Sequence, residues 1–250
     1  MRNAFALIAA GLVLSALSFS PAVRAATAGL PGAWQDWQPG NDISNTASLQ
    51  RGAGNFMGYC AGCHSLKYVR YSRMGTDLKI PEDQLEEMLS PGSKKGDYML
   101  TKLTAADGEA WFGKAPPDLS LIARSKGSDY VYRFLKTYYL DEKTTNGTNN
   151  LALPGTAMPH VLSSLQGAPI LKTVKKDGLD TFDSFEIVEP GQLTAEQYDE
   201  FVRDTVNFLE YAGEPVKAYR QSLGIWVMLF LSLFTALAWL LKREYWRDVK

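Results

Sequence analysis

The chain has 250 residues, a formal net charge of −1 and 46% hydrophobic residues, with no basic stripe for nucleic acid, no internal repeat and no glycine-rich phosphate loop. It holds only two cysteines and two histidines. If both cysteines serve one purpose, nothing remains for a structural disulfide or a four-cysteine metal site.

Arg2, an apolar run over 4–19, then Pro21 and small residues up to Ala28 follow the order of an export signal. Cleavage after Ala25 or after Ala28 both fit. A retained N-terminal anchor is the alternative, against which the short run and Pro21 argue. The expected division is a leader over 1–25 and an exported domain over 26–220.

Residues 29–43 are rich in Gly, Pro and Trp and read as irregular, with Trp34 and Trp37 as core covers. Ser44 or Asn45 can cap a helix through Leu49, Ala53, Phe56 and Cys60. Gly52, Gly54 and Gly58 either let another helix cross closely or merely weaken this one. The helix leads into CAGCH at 60–64, the spacing that attaches a haem covalently. Thiols of Cys60 and Cys63 can add to the porphyrin vinyl groups, and His64 follows as iron ligand. A redox dithiol or half a zinc site would share the Cys-x-x-Cys spacing. Zinc needs two more ligands, and the chain offers only His64 and His160 beside the cysteines. A thioredoxin-like dithiol needs a βαβ surround, where the flanks read as helix.

Beyond His64, the basic residues Lys67, Arg70 and Arg73 are either propionate partners or solvated charge. Residues 80–89 read as a short acidic helix with Pro81 in its first turn. In APPDLSLIAR, Pro116 and Pro117 present carbonyls on a stiff segment, where a ligating histidine can lodge its second ring N–H. Asp118 or Ser120 can start the next helix, and Arg124 is the expected, partly buried, propionate partner. From Ser128 an aromatic helix is expected, carrying Tyr130, Tyr132, Phe134, Tyr138 and Tyr139, and then a polar loop with Asn146-Gly147 as its turn. In PGTAMPH, Pro154 and Pro159 stiffen the segment that holds Met158, the expected distal thioether ligand of a His/Met electron carrier. His160 is its rival, and Met57, Met74, Met88 and Met99 lie in less constrained segments.

Alternating stretches within 168–192 can pair as a hairpin. Between Asp177 and Asp204, nine acidic residues face one basic residue, Arg203, as a solvated face or as a steering surface for a basic partner. Thr194 and Gln197 form a capping box for a helix whose apolar stripe suits the glycine-bearing helix before Cys60. Gly213 and Pro215 end it. Residues 222–241 are twenty without a charge, enough to span a bilayer. Lys242, Arg243, Arg247 and Lys250 beyond them mark the cytoplasmic side. The expected span is 221–241 and the basic tail 242–250. The charge of −1 becomes −3 without Arg2 and Arg24 of the leader, and −5 without the tail's four basic and two acidic residues. At about 190 residues the exported part can bury one core around one haem.

CAGCH, APPDLSLIAR, AMPH, FLEYAGEP and one C-terminal span, in that order, resemble cytochrome c1, the haem subunit of the cytochrome bc1 complex, over nearly the whole mature chain. The resemblance implies a mainly α, class I cytochrome c-like haem domain with insertions and one C-terminal transmembrane helix. It implies one covalent haem c on Cys60 and Cys63, axial ligands His64 and Met158, and Arg124 on a propionate. It further implies a redox subunit of a proton-translocating quinol–cytochrome c reductase, a dimeric multi-subunit complex with cytochrome b. Electrons would pass from the Rieske iron–sulfur protein to a soluble cytochrome c, with no bond chemistry by the subunit itself. The site would be the bacterial cytoplasmic membrane, with the haem domain periplasmic. A free-standing membrane-anchored cytochrome is the nearest competitor, and a haem enzyme or gas sensor with an open distal position is another.

Overall fold

The computed structural model describes residues 30–248, so the expected leader and the last two tail residues lie outside the described part. Two long helices organise the domain. Helix α1 (Thr46–Tyr59) starts on Asn45, whose side chain accepts the Ser48 N–H, and buries Leu49, Gly52, Ala53 and Phe56. Against it lies the domain's last helix, Ala195–Gly213, whose capping box joins Thr194 and Gln197 in both directions. The crossing point is Gly52. A Cβ there would stand 2.1 Å from the Asp204 carbonyl oxygen and 2.8 Å from the Phe208 Cβ, so no other residue allows this approach. Gly54 and Gly58 meet no such neighbour, and at these two positions glycine only lowers helix propensity.

Asp204 departs from the expectation of a solvated acidic face. It is buried and accepts hydrogen bonds from Ser48 Oγ at 2.6 Å and from Arg51 Nε at 2.5 Å. A carboxylate at a helix crossing is tolerable because it is fully partnered.

Between these helices the chain runs through β1 (Leu66–Arg70), α2 (Tyr71–Leu78), α3 (Glu82–Glu87), β2 (Tyr98–Met99) and α4 (Ala105–Phe112). Pro81 precedes α3 as its N-cap, just outside the expected first turn. Then follow α5 (Ile122–Lys126), α6 (Ser128–Lys136), β3 (Tyr138–Leu140), β4 (Thr148–Asn150), α7 (Ser163–Gln166), β5 (Gly167–Lys176) and β6 (Leu179–Pro190). The last domain helix, Ala195–Gly213, is α8. The aromatic helix stops short of its expected length: the Thr137 hydroxyl turns back to the Arg133 carbonyl at 2.7 Å, and Tyr138 and Tyr139 enter a strand that pairs with β4. Thr-Tyr-Tyr favours extended backbone over helix.

β5 and β6 form the expected antiparallel hairpin. Its turn puts Asp177 at φ 53° and Gly178 at φ 80°, the left-handed pair that a two-residue hairpin loop requires. In its turn-side half Phe182 joins Trp34, Leu151 and Ala152 in a small second core. The main core is formed by α1 and α8 with Leu66, Met74, Met99, Val131 and Leu162.

Helix α9 (Lys217–Tyr245) buries no residue. Among the described residues it is the helix long and apolar enough to cross a membrane. At about 1.5 Å per residue it exceeds the hydrocarbon core of a bilayer. The architecture is therefore mainly α, with short ribbons as insertions and one C-terminal apolar helix.

Candidate haem-binding site

Helix α1 ends at Cys60, whose N–H reaches the Phe56 carbonyl at 2.8 Å. The chain then tightens: Cys63 N–H at 3.1 Å and His64 N–H at 2.8 Å both donate to the Cys60 carbonyl. One turn thus carries both thiols and the imidazole. Both cysteines are free. Burial, helped by Cys63, pushes the Cys60 thiol up to about 12, the opposite of the low-pKa thiolate that dithiol redox chemistry uses.

His64 is buried, and its Nδ1 lies 2.7 Å from the Pro117 carbonyl oxygen. A carbonyl only accepts, so Nδ1 carries the proton and Nε2 keeps the lone pair for a metal. Burial lowers the imidazole pKa against the opposing pull of Pro117 and Asp118, which favours the neutral ring that ligation needs. The acceptor belongs to Pro117. Pro116, the other proline of the expected pair, instead packs its ring at Gly108, where a Cβ would come within 2.7 Å of Pro116 Cδ.

The carbonyl is held by Asp118 and Ser120, which bond to the start of β1 instead of capping the next helix. Asp118 accepts the Lys67 N–H at 2.9 Å and the Ser120 N–H at 3.1 Å, Ser120 Oγ accepts the Tyr68 N–H at 3.2 Å, and Leu119 N–H reaches the Ser65 carbonyl at 2.9 Å.

Arg124 is exposed rather than partly buried. Its stem lies over Gly213, where a Cβ would be 3.2 Å from Arg124 Cγ. Arg70 stacks over the Tyr98 ring at 4.0 Å, and Arg73 pairs with Asp77 at 2.5 Å.

Met158 is half-buried in the loop after β4. Its carbonyl accepts the Tyr138 hydroxyl at 3.1 Å. His160 is buried, and its ring lies flat on Tyr138, centroids 4.8 Å apart and planes 5° from parallel. Burial pushes His160 down to about 4, with Gln166 opposing, so this ring is neutral; one face is covered by the tyrosine, and its buried Nε2 has no hydrogen-bond partner among the described residues. Met74 and Met99 fill the main core, and Met57 and Met88 pack on its edge. The structure thus brings together Cys60, Cys63, His64 and Pro117 as one cluster, and Met158, Tyr138 and His160 as a second.

Among the described residues, no group of three or more His, Cys, Asp and Glu forms a metal cage. A covalent haem asks for less: two free thiols on one turn, an imidazole oriented through its second nitrogen, and a sixth ligand from elsewhere. The residues present fit that group.

Comparison with known proteins agrees with this chemistry. Residues 41–249 match the sequence model of the Cytochrome C1 family. The chain is 46% identical over 212 residues to a cytochrome c1 of Allochromatium vinosum, covering 83% of this chain and 87% of that protein. It is 43% identical over 209 residues to a protein of Nitrosomonas europaea named ammonia monooxygenase gamma subunit, covering 83% and 86%. A cytochrome c1 of Rhodospirillum rubrum is 30% identical over 279 residues, covering 98% and 97%.

Proposed function

The chain belongs to the cytochrome c1 family, and from that premise we propose that Cys60 and Cys63 hold its haem c, that His64 and Met158 are the axial ligands, and that electrons pass through it from the Rieske protein to a soluble cytochrome c. Family membership makes the chain a membrane-anchored, haem-bearing electron-transfer subunit of the cytochrome bc1 complex, alongside cytochrome b and the Rieske protein. The fold is accordingly a cytochrome c-like haem domain with insertions. The observation that carries the ligand reading is the His64 Nδ1–H bond to the Pro117 carbonyl on the turn of the two cysteines.

Bound haem supplies one iron that alternates between ferrous and ferric states. The chain's own residues tune and shield it. Pro117 raises the basicity of His64 Nε2 and fixes the ring plane. The Met158 thioether is a soft, weak donor that favours the less charged ferrous state and so raises the potential. Pro116 stiffens the carbonyl next to it, and exposed Arg124 provides a guanidinium for a propionate. No bond chemistry falls to this subunit.

The proposed topology is a leader over 1–25, a periplasmic haem domain over 26–220, a span over 221–241 and a cytoplasmic tail over 242–250, in the cytoplasmic membrane of a bacterium. Support comes from the fully exposed apolar surface of α9 and the basic residues Lys242 and Arg243 in its last turn. A dimeric, proton-translocating complex completes the proposal.

Met158→Leu is the test of the ligand set. The expected variant retains covalent haem on a denaturing gel, loses potential, and binds carbon monoxide when reduced. An unchanged redox titration would remove Met158 from the ligand set. Co-purification with an ammonia monooxygenase, as the name of the Nitrosomonas europaea relative suggests, would overturn the assignment of partners.

A further inference from the structure

Tyr138 is among the most buried side chains, at 1% exposure, and it touches the tripeptide Met158–His160 twice. Its hydroxyl donates to the Met158 carbonyl at 3.1 Å, and its ring stacks flat on His160 at 4.8 Å. We propose that Tyr138 is the positioning residue for Met158, clamping the ligand-bearing segment by a hydrogen bond at 158 and a ring stack at 160. This inference rests on Met158 being the distal ligand.

The clamp stands on a platform that is rigid without the loop. Tyr138 opens β3 and pairs with Asn150 of β4. Its ring meets Phe134 edge-on, centroids 5.4 Å apart. Asn150, itself fully buried, donates from Nδ2 to the Phe134 carbonyl at 2.7 Å and accepts the Ala152 and Leu153 N–H groups at 2.9 and 3.1 Å. One side chain therefore locks the end of α6 to the start of the Met158 loop.

Within the loop, Thr156 N–H reaches the Leu153 carbonyl at 3.1 Å and Val161 N–H the Pro159 carbonyl at 2.8 Å. Pro154 and Pro159 restrict its local shape. These restraints, with Gly155 N–H donating to Asn149 Oδ1 at 2.9 Å, fix the first half of the loop. Tyr138 ties the bend to the domain at the residue that bears the sulfur.

A tyrosine that merely fills the core would lose little on conversion to phenylalanine, which keeps the ring, its stack on His160 and its contact with Phe134. A positioning hydroxyl would be missed by the iron. The experiment compares Tyr138→Phe, Met158→Leu and the parent chain in the purified membrane complex. It reads the far-red sulfur-to-iron charge-transfer band of the ferric c-type haem, the midpoint potential, and the fraction of reduced c-type haem that binds carbon monoxide. Tyr138→Phe is expected to keep covalent haem, weaken the band, lower the potential, and raise the methionine-off, carbon monoxide-binding fraction by roughly three- to tenfold, the weight of one hydrogen bond. If Met158→Leu abolishes the band while Tyr138→Phe matches the parent in all three readings, the positioning role is wrong and the ligand stands. If Met158→Leu keeps the band, Met158 is not the ligand and the clamp falls with it.

Discussion

His64 holds its tautomer through a carbonyl, and that carbonyl is held in turn by the Asp118 carboxylate, which accepts two backbone N–H groups. Asp118→Ala removes both charge-assisted bonds. The expected loss is about 1–3 kcal/mol in denaturant unfolding of the haem protein, together with a shifted midpoint potential because the Pro117 acceptor is freed. Unchanged unfolding and an unchanged potential would show that the Pro117 segment holds itself. At this scale the sequence spoke clearly where spacing is the chemistry: CAGCH dictates the two thiols and the imidazole. It could not choose between two adjacent prolines, whose carbonyls look alike until a fold turns one toward His64. Tyr138 was equally hidden, because its role depends on leaving the aromatic helix for a strand.

Helices α1 and α8 meet at Gly52 and nowhere else so closely among the three glycines expected to matter. Gly52→Ala must push the Asp204 backbone away, at an expected cost of about 1–3 kcal/mol. Gly58→Ala, with nothing within 4 Å of its added Cβ, is expected to stabilise α1 by up to about 1 kcal/mol. Thermal unfolding of the two variants side by side checks the pair, and equal effects would contradict the crossing geometry. The capping box at Thr194 and the β5–β6 hairpin were legible because both are local patterns. The burial of Asp204 was not, since a charge run reveals no partner from a distant helix such as Arg51.

Across the whole molecule, α9 leaves the domain unaccompanied, and Glu210 stands at the junction. It accepts from Asn41 at 2.6 Å, from Ser128 at 2.7 Å and from Lys217 at the start of α9. Burial opposes its ionisation, but Lys217, Asn41 and Ser128 outweigh it and hold the carboxyl below the ordinary 4.5. Its contribution is therefore full above that value and is lost as pH falls below it, through the depressed folded value. Glu210→Gln is expected to cost about 1–2 kcal/mol at neutral pH and progressively less in acid, read from melting curves across pH. An equal deficit at every pH would remove the charge from the account. Because α9 buries nothing, a chain ending at Gln221 is expected to yield a water-soluble haem domain with the parent spectrum; aggregation would show that the span supports the fold. The span itself was legible from its twenty uncharged residues, whereas the Glu210 junction needed three distant segments brought together. Adding ubiquinol to the affinity-purified membrane complex without oxygen, and following its haem spectra, tests whether electrons reach this haem from quinol. The predicted result is b-type and c-type haems in one preparation, with the c-type haem reduced by quinol through the Rieske protein. A c-type haem that co-purifies with no b-type haem, or that dithionite reduces and quinol does not, would contradict it.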